Sequence, residues 1–151
     1  MNIEQITLCL TDRAVPMAFS GGTWLYEDVT VSIIDSSISV CSKHTPIKAL
    51  RVTFEKTPVE NCLVLGDAWE RAYADLGWKK PDGSIKMPWY FFAFDGTSVH
   101  CFGVKTQPNA LCYWQFDGEQ CSLTLDLRSG TDPVLLEGRT LAVCTVITDK
   151  K

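Results

Sequence analysis

Two segments of the chain repeat one arrangement: "WYFFAFDGTSVHCFGV" from Trp89 and "CYWQFDGEQCSLTLDL" from Cys112 each run aromatic residues into Phe-Asp-Gly and leave in alternation. Asp-Gly supplies the positive backbone angles that most side chains resist, so each segment is expected to be a β-hairpin, turning at Asp95-Gly96 and Asp117-Gly118. Two copies fall short of a repeat architecture, and shared turn chemistry explains the likeness. In the second segment Cys121, Leu123, Leu125 and Leu127 share one face and Ser122, Thr124 and Asp126 the other, the period of a half-buried antiparallel strand.

The same rhythm fills most of the chain. "ITLCL", "VTVSII" (Val29 to Ile34), "SISVCS" (Ser37 to Ser42) and "ALRVTFE" (Ala49 to Glu55) are short and rich in β-branched residues. Turn residues such as Asp35-Ser36 and Thr45-Pro46 separate them, the Gly21-Gly22 pair reads as another turn, and "RTLAVCTVIT" is a last strand. Eight to ten strands without a comparable helical segment point to an all-β fold, an antiparallel β-sandwich or a closed barrel. A chain of 151 residues is the size of one domain, so residues 1–151 are expected to share one core.

With 14 basic against 18 acidic residues, and no stretch that mixes Lys and Arg with aromatics, neither nucleic acid nor an anionic membrane is an expected partner. The run "MNIEQITLCLTDR" has neither a basic leader nor a small-residue cleavage site, and no apolar run is long enough to span a bilayer. Seven cysteines are an odd number, none stands in a Cys-x-x-Cys pair, and most alternate with apolar neighbours. They read as reduced thiols in the core, with no metal site or cofactor expected. No Asn-x-Ser/Thr acceptor occurs either, and a cytoplasmic protein is expected.

One stretch breaks the strand pattern. From Gly66 to Pro88 the chain runs through "GDAWERAYADLGW", and Trp69, Tyr73 and Leu76 are spaced to share one side of about two helical turns, which Gly77 would end. "KKPDGS" reads as a solvated turn and "MPWYFF" as the return to the sheet. Excursions this long are usually functional or mobile. In one reading the three apolar side chains cap an open end of the sandwich. In the other the aromatic planes face outward as a platform for a polyhydroxylated ligand, with Asp67, Glu70 and Arg71 on its rim.

Asp67 and Glu70 sit too close along the chain to straddle a scissile glycosidic bond, which needs carboxylates about 5–9.5 Å apart on its two sides. His44 and His100 belong to no triad or metal spacing. Cys101 next to His100 should point to the opposite face of a strand.

"VLGDAWERAYADLGW" followed by "MPWYFFAFDG" resembles the amino-terminal sandwich domain of melibiase-like alpha-galactosidases, glycoside hydrolases whose catalytic (β/α) barrel follows that sandwich. Gly66, Asp67, Ala68, Trp69, Glu70, Arg71, Tyr73, Asp75, Leu76 and Trp78 carry the resemblance, then Met87, Pro88, Trp89, Tyr90 and Phe91, about twenty-five residues in all. It implies a supersandwich-like antiparallel fold and a non-catalytic accessory domain that packs on a catalytic barrel. By position it implies substrate contacts from Asp67, Trp69, Glu70, Arg71 and Trp78, with a galactoside as the sugar. The barrel and its catalytic carboxylates lie outside this chain, so no catalysis by it alone is expected. A stand-alone carbohydrate-binding, lectin-like module and a small enzyme with its own pocket are the alternatives, and oligomerisation is left open.

Overall fold

A computed structural model of the chain describes residues 2–56, 61–69 and 76–151. They form two antiparallel sheets packed face to face. The six-stranded sheet runs β2 (Ala14–Pro16), β1 (Ile3–Cys9), β7 (Ala49–Phe54), β13 (Cys121–Asp126), β12 (Leu111–Phe116) and β9 (Met87–Pro88). The eight-stranded sheet runs β3 (Ala18–Ser20), β4 (Thr23–Tyr26), β5 (Val29–Ile34), β6 (Ser37–Ser42), β14 (Thr140–Lys150), β11 (Val99–Val104), β10 (Tyr90–Phe94) and β8 (Leu63–Gly66). The architecture is thus a sandwich, not a closed barrel. The fourteen strands among the described residues exceed the eight to ten expected because β2, β3, β4, β8 and β9 are only two to four residues long, too short to carry a clear period. Among the described residues no helix is long and apolar enough to cross a membrane.

Alternation builds the core. Ile6, Leu8, Leu50, Val52, Leu123, Leu125 and Trp114 point inward from the six-stranded sheet, to meet Val29, Val31, Ile38, Val40 and Phe91 from the other. Trp114 is fully buried against Phe91, Phe54 and Phe102. Burying such a ring, about 150–250 Å² at about 25 cal/mol/Å², is worth about 4–6 kcal/mol.

Both Phe-Asp-Gly hairpins form, with Phe94 opposite Val99 and Phe116 opposite Cys121. Their loops hold four residues, and only Gly96 (φ 95°) and Gly118 (φ 100°) have positive φ. The aspartates act through their side chains instead: Asp95 Oδ1 accepts the amides of Thr97 at 2.9 Å and Ser98 at 2.8 Å, and Asp117 Oδ1 those of Glu119 and Gln120, both at 2.8 Å. The two-residue turn lies at Asp35 (φ 48°) and Ser36 (φ 66°), between β5 and β6.

β13 corrects the expectation of a half-buried strand. Ser122 and Thr124 are buried along with the leucines. β13 is flanked on both sides, and the longer side chains of its neighbours shade its small outer residues; Arg51 reaches over to Ser122 Oγ at 3.4 Å.

β14 joins the halves of the larger sheet, pairing with β6 through its first residues and with β11 through its last. At the other margin the chain changes sheets. Met87 and Pro88 pair with β12, Tyr90 to Phe94 pair with β11, and Trp89 between them turns the corner with φ 68°. Its amide donates to Cys112 in one sheet, and its carbonyl accepts from Val104 in the other.

Candidate functional site

The stretch from Gly66 to Pro88 starts at β8, the edge of the larger sheet, and ends at β9, the edge of the smaller one, so both of its ends lie on one flank of the sandwich. At its root the edges nearly touch: a Cβ added to Gly66 would lie 2.4 Å from Met87 Cγ and Sδ. Lys79 returns to the edge, its amide and carbonyl bonding both ways with Val64 at 3.0 and 2.7 Å. The turn in "KKPDGS" is present, with Asp82 Oδ1 accepting from the Ser84 amide and hydroxyl. These bonds hold the Asp82 carboxyl below its usual range. Gln115 Nε2 ties the turn to the smaller sheet by donating to the Gly83 carbonyl at 3.0 Å.

The helical turn expected around Tyr73, and with it Glu70 and Arg71, lies outside the described residues. The remaining predicted site residues separate. Trp69, 52% exposed, meets Tyr113 edge-on with ring centroids 6.4 Å apart, and Lys86 Nζ stands 5.0 Å from the same Tyr113 ring. Trp78, 46% exposed, meets Phe94 edge-on at 6.3 Å. Tyr113 adjoins the core residue Trp114 and so points out of the smaller sheet, whereas Phe94, three residues from the core residue Phe91, points out of the larger one. The two tryptophans therefore lie on opposite outer faces, and they do not form the single platform that their sequence proximity suggests.

Asp67 is 7% exposed, and its Oδ1 accepts the Ala68 amide at 2.9 Å. It lines a pocket of about 140 Å³ with Lys79, Lys80, Asp82, Lys86 and the apolar Met87. That volume falls short of the roughly 300–1,000 Å³ of sites that enclose a drug-sized ligand. The sequence shows Lys79 and Lys80 only as part of a solvated turn, because their place in the same pocket as Asp67 depends on the chain folding back at Lys79.

Leu63, Trp69, Leu76, Trp78, Ile85 and Tyr90 are all more than a third exposed along this one flank. Among the described residues no group of three His, Cys, Asp or Glu side chains is placed to hold a metal. Compared with protein-family models, with curated proteins and with solved structures, the chain matches none.

Proposed function

We propose that the chain is a non-catalytic accessory domain of an alpha-galactosidase-like glycoside hydrolase, which packs by its 63–90 flank on a catalytic (β/α) barrel. The observation that carries this reading is the pair Trp69 and Trp78, each about half exposed on opposite sides of one edge. A flat sugar cannot lie on two faces at once, whereas a protein surface that receives the edge contacts both. The exposed apolar side chains around them supply the desolvation that such an interface needs. The identity of the partner rests on the resemblance around Gly66 to Phe91, and seven unbridged thiols support a reducing, cytoplasmic setting.

The test is calorimetric titration of the chain into the catalytic barrel of such an alpha-galactosidase, prepared without its own amino-terminal domain. Saturable binding is expected, with only background hydrolysis of nitrophenyl alpha-galactoside by the chain alone. Absence of binding, or turnover by the isolated chain, overturns the reading.

A second reading, a carbohydrate-binding module, draws on Trp69 beside Tyr113 and Lys86 as a one-ring sugar contact. A galactoside that shifts the tryptophan emission of wild type but not of Trp69→Ala would favour it.

A further inference from the structure

Next to the Asp67 pocket, with which it shares Phe116, one end of the sandwich is open between the sheets. Two adjoining cavities, of about 520 and 240 Å³, share Thr148 in their walls. The larger sheet contributes five consecutive strands to their lining, through Ile33, Ile38, Val146, Phe102 and Ala93. The smaller sheet contributes four consecutive strands, through Ile3, Phe54, Cys121 and Phe116. The cleft therefore runs across the strands. Its five-strand wall spans four gaps of about 4.8 Å, or about 19 Å. It is long and mainly apolar on both sides, and burial raises the pKa of the Cys121 thiol.

The mouth is charged, and most of its charges are engaged. Glu119 pairs with Lys56 at 3.7 Å, Asp149 with Lys151 at 3.8 Å, and Glu55 Oε2 accepts from Asn2 at 3.2 Å. His100 Nε2 and Asp95 Oδ2 are 2.7 Å apart. The sequence hides this pair because Asp95 sits in the hairpin loop and His100 in the returning strand. Lys150, across the ladder from His100 and in the cavity wall, has an ammonium without a hydrogen bond or ion pair among the described residues.

We infer that this cleft binds a single-chain amphiphile, a long acyl chain lying between the sheets with its anionic head on Lys150. Length and polarity select the chain: a transverse, mainly apolar trough about 19 Å long suits an extended hydrocarbon better than a compact ring. The unengaged cation selects the head. None of its lining residues falls within 63–90, although Phe116 also lines the Asp67 pocket, and the assignment stands whether or not that flank docks a barrel.

The test is displacement of an environment-sensitive fluorescent fatty acid from the full chain by dodecanoate and by dodecanol. Thr148 is exposed and common to both cavities, so Thr148→Trp plugs the trough without touching the core. Saturable binding is expected, weakened about tenfold or more for both competitors by Thr148→Trp. Lys150→Glu should weaken dodecanoate about fivefold and leave dodecanol unchanged. Absence of saturable displacement, indifference to Thr148→Trp, or an equal effect of Lys150→Glu on acid and alcohol overturns the assignment.

Discussion

The indole N–H of Trp114 donates to the main-chain carbonyl of Trp89 at 3.2 Å, and the same oxygen accepts the Val104 amide at 3.1 Å. A buried core ring thus anchors the corner at which the chain leaves one sheet for the other. Trp114→Phe keeps most of the packing and removes the donor. Denaturant unfolding should show a loss of about 1–3 kcal/mol from the missing bond and the space left behind. An unchanged midpoint would mean that the corner holds without it.

Trp89 itself turns with φ 68°, a conformation that costs a residue bearing a Cβ about 1–2 kcal/mol. Trp89→Gly and Trp89→Ala both lose the ring, but only glycine relieves the backbone. The glycine variant should therefore be the more stable of the two by about 1 kcal/mol. The reverse order in thermal or denaturant unfolding would contradict the left-handed corner.

Gly66 sits where the sheet edges approach, and an added methyl would meet Met87 Cβ at 2.9 Å as well as the atoms beyond it. Gly66→Ala should cost about 1–3 kcal/mol by overpacking. Met87→Ala in the same chain should restore part of that loss, because the two changes act on one contact. Strict additivity of the two would show that the edges do not touch there.

Asp28 accepts the amides of Lys43, His44 and Thr45 at 2.7–3.0 Å and the hydroxyl of Thr45. The Thr45 hydroxyl first, and then the backbone amides, hold its carboxyl well below the usual range. A depressed folded-state pKa adds stability that is complete above the unfolded value of about 4, and that is lost as pH falls through the lower folded value. Asp28→Asn should cost about 1–3 kcal/mol at pH 7, with the gap to wild type narrowing below about pH 4. A gap that widens in acid would contradict this sign.

Turn chemistry and strand period were legible along the chain because both are local. β5 and β6 span the residues that their β-branched runs outline, and Gly96 and Gly118 stand at the predicted hairpins. What the sequence withheld is set by tertiary contact. A tryptophan at positive φ runs against local preference, so the change of sheet at Trp89 left no signal in composition. The burial of Ser122 and Thr124 depends on the side chains beside them in neighbouring strands, not on their own alternation. Trp69 and Trp78 look like one platform along the chain, and they part because one packs on Tyr113 of the smaller sheet and the other on Phe94 of the larger.

The most direct test of the docking edge is a double-mutant cycle of Trp69→Ala and Trp78→Ala in the titration against the catalytic barrel. Each tryptophan is about half exposed, so each variant should unfold within about 1 kcal/mol of wild type. Each should weaken binding about tenfold, and the double variant by the product, as for two contacts on separate faces. Binding indifferent to both substitutions would contradict the account.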